Sequence, residues 1–521
     1  MKTLYLRSLL IIVNLLICCE SAKVLYLMPF TARSHYIGMK NLAIELAKRG
    51  HDVYAITPFR EDEHPPTYHQ LMVKNESVWT KLFDVQPRVF DMMDETFESF
   101  QNFMYKFGFL VNDQVFESKE VQEFLKQDHK IDVVIAEVFF NEGLYMFAHK
   151  YQAPLVLVTT VGNSFKGNFY MGNPLQLSTL YHEYGRAKEP LSFIGRLYNL
   201  YMCTFDLVML KFWYFPRLQE STLQYFKDLP EPVPKLEDIA ANAAILLLNS
   251  HFSIDNAAAY LPNIIEVGGL HIKETNDTIP SDLQNILDNA KTGVVFLSFG
   301  SNVQTSEMDI DKLQAFFKVF GELKQTVLMK WEKEPIQNIP KNIILRKWFP
   351  QKAVVAHPNV KLFIGHGGLL GLQETIAAGV PILGVPVFGD QYLNIIDTIQ
   401  KGHGDILYYK EIKEDILREK INKLLNDKTY MENAKKIASR FKDRPMKPLD
   451  TAVWWTEYVI RHKGADFIKP PVMSYIAYQN LDVYLFLISI LVIILYTILK
   501  IIHIIKNVLK RQKITKKKKN L

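Results

Sequence analysis

A glycine-rich turn, Gly365-His366-Gly367-Gly368, follows the apolar run at residues 360–364 and precedes a helical stretch. Glycine lets the backbone approach a ligand closely, and the free N–H groups at a helix start favour an anion. His366 adds a side-chain donor beside them. This chemistry suits a diphosphate, although the turn is neither GxGxxG nor a Walker sequence. A tight strand–helix turn needs glycine in any case. A second histidine, His35, sits just beyond the first apolar strand, at the start of a helix. Open α/β sheets bind ligands beyond the carboxyl ends of their strands. A neutral imidazole there can take a proton near pH 7. Read alone, a histidine in a loop is more often polar surface.

The elements that must carry these residues alternate. Residues 23–29 read as strand, 39–48 as helix with Gly50 as a natural C-cap, and 51–57 as strand. Strands follow at 133–136 and 153–159, with helix over 141–151 between them, and 97–127 is largely helical and rich in Phe. A second unit starts near Ala243, with strands at 244–248, 293–298, 326–331, 342–346, 360–364 and 381–385. Its helices fall at 306–323, 369–378 and 391–402. Such alternation predicts α/β architecture, with parallel sheets covered by helices on both faces. Residues 193–215 are apolar and aromatic but interrupted by Arg196, Asp206 and Lys211. Core is the default reading there; a membrane-facing helix and an acceptor-pocket wall stay open.

The ends set the topology. Lys2 and Arg7, then an apolar run, then Ser21 and Ala22 read as a signal peptide over residues 1–22. Residues 483–499 carry no charge, and the stretch 481–505 is long enough to cross a bilayer. The net charge of +6 hints at a nucleic-acid partner, but residues 506–521 alone hold eight Lys or Arg and no acid. Without that tail and the signal the chain is slightly acidic, so no nucleic-acid face is expected. The positive-inside rule puts the tail in the cytosol and the body in the lumen. Lys518 and Lys519, at the fourth and third positions from the end, resemble a dilysine signal for retrieval to the endoplasmic reticulum. Attraction to anionic lipid is the simpler alternative. Asn75-Glu-Ser77 and Asn276-Asp-Thr278 are glycosylation triplets. Of three cysteines, Cys18 and Cys19 leave with the signal, so Cys203 is expected to be a packed, unpaired residue.

The run from residue 341 to 394, with Trp348-Phe-Pro-Gln351, Gly365-His-Gly-Gly368, Glu374 and Phe388-Gly-Asp-Gln391, closely resembles the signature of the UDP-glycosyltransferase family. Val267-Gly-Gly-Leu-His271, Phe296-Leu-Ser-Phe-Gly-Ser301 and both termini extend the resemblance over most of the chain, with an insect-like flavour. It implies two facing Rossmann-like domains, the GT-B glycosyltransferase fold, plus a C-terminal transmembrane helix. The domains are expected at 23–242 for the acceptor and 243–470 for the UDP-sugar, with the helical segment 451–461 recrossing to the first. By the same resemblance Trp348 stacks on uracil, Gln351 and Glu374 bind the ribose, and Gly300, Ser301, His366, Gly367 and Gly368 hold the diphosphate. Asp390 and Gln391 bind sugar hydroxyls, and His35 is the general base. Three positions depart from the family. Glu137 stands where relatives have the aspartate that orients the base, one methylene shorter; Asp132 is a weaker candidate. Leu370 and Gly371 replace Asn and Ser donors near the phosphates.

The implied reaction inverts the anomeric carbon of a hexose, glucose favoured over glucuronate, as it passes to a small lipophilic acceptor. UDP-sugar is a co-substrate; no metal or other cofactor is expected. A lipid- or pheromone-specific transferase and a catalytically silent UDP-sugar binder are the alternatives. The sequence names no acceptor, and a homo-oligomer is open.

Overall fold

A computed structural model describes residues 21–74, 89–272, 278–334, 336, 338–471 and 473–519. The signal segment through residue 20 and both glycosylation acceptors, Asn75 and Asn276, lie outside the described residues. The chain divides into two units, one through Lys469 and one from Pro470.

The first unit is built on two parallel sheets. In the first, β1 (Lys23–Leu27), β2 (Asp52–Thr57), β3 (Tyr68–Met72), β4 (Val133–Glu137), β5 (Leu155–Val158), β6 (Ile245–Leu248) and β7 (Ile264–Glu266) run in the order β3-β2-β1-β4-β5-β6-β7. In the second, β8 (Val294–Leu297), β9 (Thr326–Lys330), β10 (Ile343–Arg346), β11 (Val360–Gly365), β12 (Ile382–Gly384) and β13 (Gly404–Ile406) run in the order β10-β9-β8-β11-β12-β13. Interior strands such as β4 and β8 are buried along their whole length, because helices cover both faces. Apolar cores accordingly lie on both sides of each sheet.

Seven helices matter below: α1 (Arg33–Lys48), α2 (Phe97–Phe116), α3 (Phe193–Met209), α4 (Leu369–Ala378), α5 (Gln391–Gln400), α6 (Pro448–His462) and α7 (Leu481–Lys519). Helix α1 starts six residues before the expected 39, directly after Ala32, so His35 lies in its first turn. It ends at Arg49, and Gly50 follows with φ +97°, a left-handed residue that closes the helix without steric cost.

The expected domain boundary at residue 243 is wrong. Strand β6 pairs with β5 through Val156↔Ile245 and Leu157↔Leu246, and β7 pairs with β6, so the first domain runs through Glu266. The second begins with the helix Ser281–Asn289. A fully apolar run such as Ile-Leu-Leu-Leu announces a buried parallel strand but not which sheet receives it. The expected far boundary at 470 falls at the division between the two units, and the segment before it returns to the first domain. Helix α6 packs its Ala452, Val453 and Val459 into the first domain's core beside α1, and Asp450 Oδ1 accepts from Arg49 Nη2 at 3.0 Å. The recrossing of 451–461 is thus present.

The stretch 193–215 is not plain core. On α3, Asn199, Met202, Cys203 and Asp206 face inward, while Phe193, Ile194, Leu197, Leu200, Tyr201 and Val208 are exposed. Cys203 is buried and unpaired, as expected. The second unit holds α7, whose 39 residues span roughly 58 Å at the usual helical rise, ample for a bilayer core. The helix continues past the expected 505, through the basic tail to Lys519.

Replacing Val453, fully buried, by Asp places an unpaired charge under α1. Val453→Asp is expected to lower the thermal midpoint by more than 10 °C, or to prevent folding. Trp454→Asp, on the 42% exposed neighbour, is expected to change it by no more than a few degrees.

Candidate active site

The loops that leave the carboxyl ends of both sheets face one cavity of about 920 Å³. Its position follows from strand order. In each sheet the chain reverses its direction of travel at one seam, between β1 and β4 in the first and between β8 and β11 in the second. Adjacent loops diverge at such a seam and leave a crevice.

On the first sheet, β1 leads to His35, and Glu137 is the last residue of its neighbour β4. The imidazole Nδ1 lies 2.5 Å from Glu137 Oε1. The extra methylene therefore does not separate the pair; the glutamate reaches. Glu137 is fully buried, and the Tyr145 hydroxyl donates to its main-chain carbonyl at 2.9 Å. Thr160, just past β5, donates to the same Oε1 and lies 2.8 Å from His35 Nδ1. Asp132, the weaker candidate, is outside the site: it sits before β4, where its Oδ2 accepts from Lys23 N at 2.8 Å. Around the imidazole the wall is aromatic. Phe30 and Phe139 stand 4.3 and 4.4 Å from its ring centre, and Phe100, Met104 and Phe107 from α2 continue the surface.

On the second sheet, Gly300 and Ser301 follow β8, and His366, Gly367 and Gly368 follow β11. Gly300 has φ +76°, and a Cβ there would lie 2.9 Å from His366 Cε1. Gly368 directly precedes α4, whose first N–H groups open on the cavity. The residues expected to hold the diphosphate thus come together from two loops and one helix start. Lys330, the last residue of β9, also lines it, with Nζ 2.5 Å from Gly300 O and 3.3 Å from Glu332 Oε1. Burial, and next the Lys330 charge, hold the His366 imidazole down to about 4, so it is neutral near pH 7.

Trp348 is 56% exposed after β10, with the Arg33 guanidinium of the first domain 5.5 Å from its ring centre. Gln351 Nε2 donates to Glu374 Oε2 at 2.8 Å. The departure at Gly371 has a use here, since a Cβ at that position would meet Gln351 Nε2 at 3.0 Å. Asp390 accepts from Asn394 Nδ2 at 2.9 Å, and burial pushes its carboxyl up. Gln391 Oε1 accepts from the N–H groups of Val387 and Phe388, which fixes its amide beside the acid.

All of the expected donor-side residues therefore line the cavity, together with His35. Glu137 stands behind the histidine. Sequence reasoning missed Thr160, Lys330 and the aromatic wall. Thr160 lies two residues beyond β5 and Lys330 ends β9, and each of these strands neighbours one that borders a seam, so strand order, once known, points to them.

Helix α4 also ties the domains together. Gln373 is fully buried; its Oε1 accepts from Gly269 N at 3.1 Å and its Nε2 donates to Asn249 Oδ1 at 3.0 Å. His271 fills the same seam, donating from Nε2 to Leu370 O at 3.1 Å, and burial holds it at about 4.

Comparison with known proteins agrees with this geometry. The family described as UDP-glucoronosyl and UDP-glucosyl transferase matches residues 22–519. The chain is 35% identical to UDP-glycosyltransferase UGT5 of Dactylopius coccus over 484 residues, covering 91% of this chain and 90% of the relative. It is 34% identical to UDP-glucosyltransferase 2 of the same organism, covering 90% of each. Among solved structures, a UDP-glucose: anthocyanidin 3-O-glucosyltransferase in complex with UDP superposes with a TM-score of 0.57 at 15% identity, covering 85% of this chain and all of the other. At that identity the likeness concerns the fold.

His271 and His366, with His251 and His403 likewise held down to about 4 by burial, make stability depend on pH. Each binds its proton more readily in the unfolded chain, where the ordinary value near 6.5 applies. The stability they lend is present above about pH 6.5 and is lost as pH falls towards 4. Thermal melts from pH 7.5 to 4.5 are expected to fall across that window, and His271→Gln is expected to flatten the decline.

Proposed function

The chain belongs to the UDP-glycosyltransferase family, an enzyme family that transfers sugar from UDP-sugars, and from that premise we propose that it moves glucose, with inversion, to a hydroxyl of a small lipophilic acceptor. The observation that carries this reading is the His35–Glu137 contact facing the Gly300 and Gly367-Gly368 anion site across one cavity. Nδ1 is engaged by the carboxylate, which leaves the lone pair on Nε2. That nitrogen takes the acceptor's proton as the oxygen attacks the anomeric carbon. The bond from that carbon to the β-phosphate oxygen breaks on the opposite side. UDP leaves as an anion, stabilised by the start of α4, His366 and Lys330. Glu137 offsets the charge gained by the imidazole. No divalent metal takes part in this reading.

Two features support the finer choices. The sugar end of the cavity presents Asp390 beside Gln391, and a carboxylate there repels a hexuronate while accepting from neutral hydroxyls. The acceptor end is walled by Phe30, Phe100, Met104, Phe107 and Phe139, which suits an apolar molecule with one reactive hydroxyl. The apolar helix α7 is long enough to cross a membrane, which fits a membrane-anchored protein. We place the catalytic body in the lumen of the endoplasmic reticulum, with Lys518 and Lys519 in the cytosol as a retrieval signal for the coat.

UDP release by membranes carrying the protein tests the chemistry. Acceptor-dependent release is expected with UDP-glucose and not with UDP-glucuronate, across a panel of phenols and aliphatic alcohols, undiminished by EDTA. His35→Ala is expected to lower kcat by about 100- to 10,000-fold with UDP binding retained. Binding of UDP without turnover on any acceptor would reverse the assignment in favour of a silent binder. For the address, changing Lys518 and Lys519 together to Ser is expected to move the protein beyond the endoplasmic reticulum; unchanged retention would remove the signal from the account.

A further inference from the structure

We propose that Thr160 is a positioning residue that fits the longer carboxylate of Glu137 to the His35 imidazole. The inference rests on the reading of His35 as the base. Glu137 Oε1, His35 Nδ1 and Thr160 Oγ1 form a closed triangle: the imidazole lies 2.5 Å from Oε1, the hydroxyl lies 2.8 Å from Nδ1, and the hydroxyl donates to Oε1. The hydroxyl belongs to a residue only 4% exposed, and Glu137 is wholly shut off from solvent. The other carboxylate oxygen, Oε2, accepts no hydrogen bond among the described residues. The carboxylate is therefore held through one oxygen by two donors, the imidazole N–H and the threonine O–H.

The arrangement has a mechanical reason. A glutamate has one more rotatable bond than an aspartate, so its carboxylate can swing unless a second group holds it. Thr160 supplies that group from the neighbouring strand, where Glu137 pairs with Val158 two residues earlier. The threonine is itself confined, because Gly38 of α1 leaves only enough room for its methyl; a Cβ at residue 38 would lie 3.2 Å from Thr160 Cγ2. With the hydroxyl directed at Oε1, Nδ1 keeps its proton and Nε2 faces the acceptor as a base. Without it, the buried carboxylate retains a single donor, and both the imidazole tautomer and the ring orientation loosen.

Thr160→Val removes the hydroxyl and keeps the shape; Thr160→Ser keeps the hydroxyl. In the full-length membrane protein, Thr160→Val is expected to lower kcat by about ten- to a hundredfold, with KM for UDP-glucose and Kd for UDP within twofold of the parent. Thr160→Ser is expected to stay within about threefold. In a Glu137→Asp background the shorter carboxylate withdraws from residue 160, so adding Thr160→Val should cost less than threefold more. The ring nitrogen shifts of ¹⁵N-labelled His35 provide a readout without turnover: one Nδ1–H tautomer in the parent and in Thr160→Ser, a mixture in Thr160→Val. A Thr160→Val enzyme with parental kcat, a loss confined to KM for the sugar donor, full additivity with Glu137→Asp, or an unchanged tautomer would overturn the proposal. His35→Ala separates the two readings. If it abolishes turnover while Thr160→Val does not, only the role of Thr160 fails. If His35→Ala retains parental turnover, the base assignment fails with it.

Discussion

The seam in each parallel sheet is the constraint on which the site depends. Where strand order reverses, successive loops leave in opposite directions and uncover the strand ends between them. In the first sheet that seam separates β1 from β4, and it brings together His35 and Glu137, residues 102 positions apart in the chain. In the second it separates β8 from β11, and it brings Gly300 against His366. The two seams face one cavity, so His35 of the first sheet and the Gly300–His366 pair of the second line the same space.

Keeping those seams opposed requires fixed contacts between the domains. Gln373 does part of this from α4, the helix that also presents its start to the cavity. Phe90, from the first domain, is buried in the second domain's core and stacks on Tyr409 at 4.5 Å. Helix α6 returns from the second domain to the first and closes the chain across the pair. The contacts are dispersed over the two domains, and one of the three involves a helix that lines the cavity. A change in the opening of the cleft must therefore disturb buried groups in both domains.

The electrostatics of the two histidines differ in kind. His35 lies beside the Glu137 carboxylate, with Nδ1 2.5 Å from Oε1. His366 is buried near the Lys330 ammonium and is held neutral, with its value lowered to about 4. Gly371 leaves room beside the Gln351–Glu374 hydrogen bond, since a Cβ there would lie 3.0 Å from Gln351 Nε2.

Much of this was legible in the order of residues. Apolar β-branched runs alternating with helical periods specify parallel sheets covered on both faces, because only that arrangement buries such strands completely. The glycines at 365–368 specify a tight strand-to-helix turn, and the charge-free run from 483 specifies an apolar helix long enough to cross a membrane. These properties belong to single segments, so the local sequence determines them. Which sheet receives Ile245–Leu248, which face of α3 is left in solvent, and which hydroxyl meets Glu137 were decided by the tertiary structure. Each depends on partners dozens of residues away. A buried strand reads the same beside any neighbour, and Thr160 looks like any strand-end threonine until β5 lies next to β4. Pairing, and not composition, places the final hydrogen bond of the site.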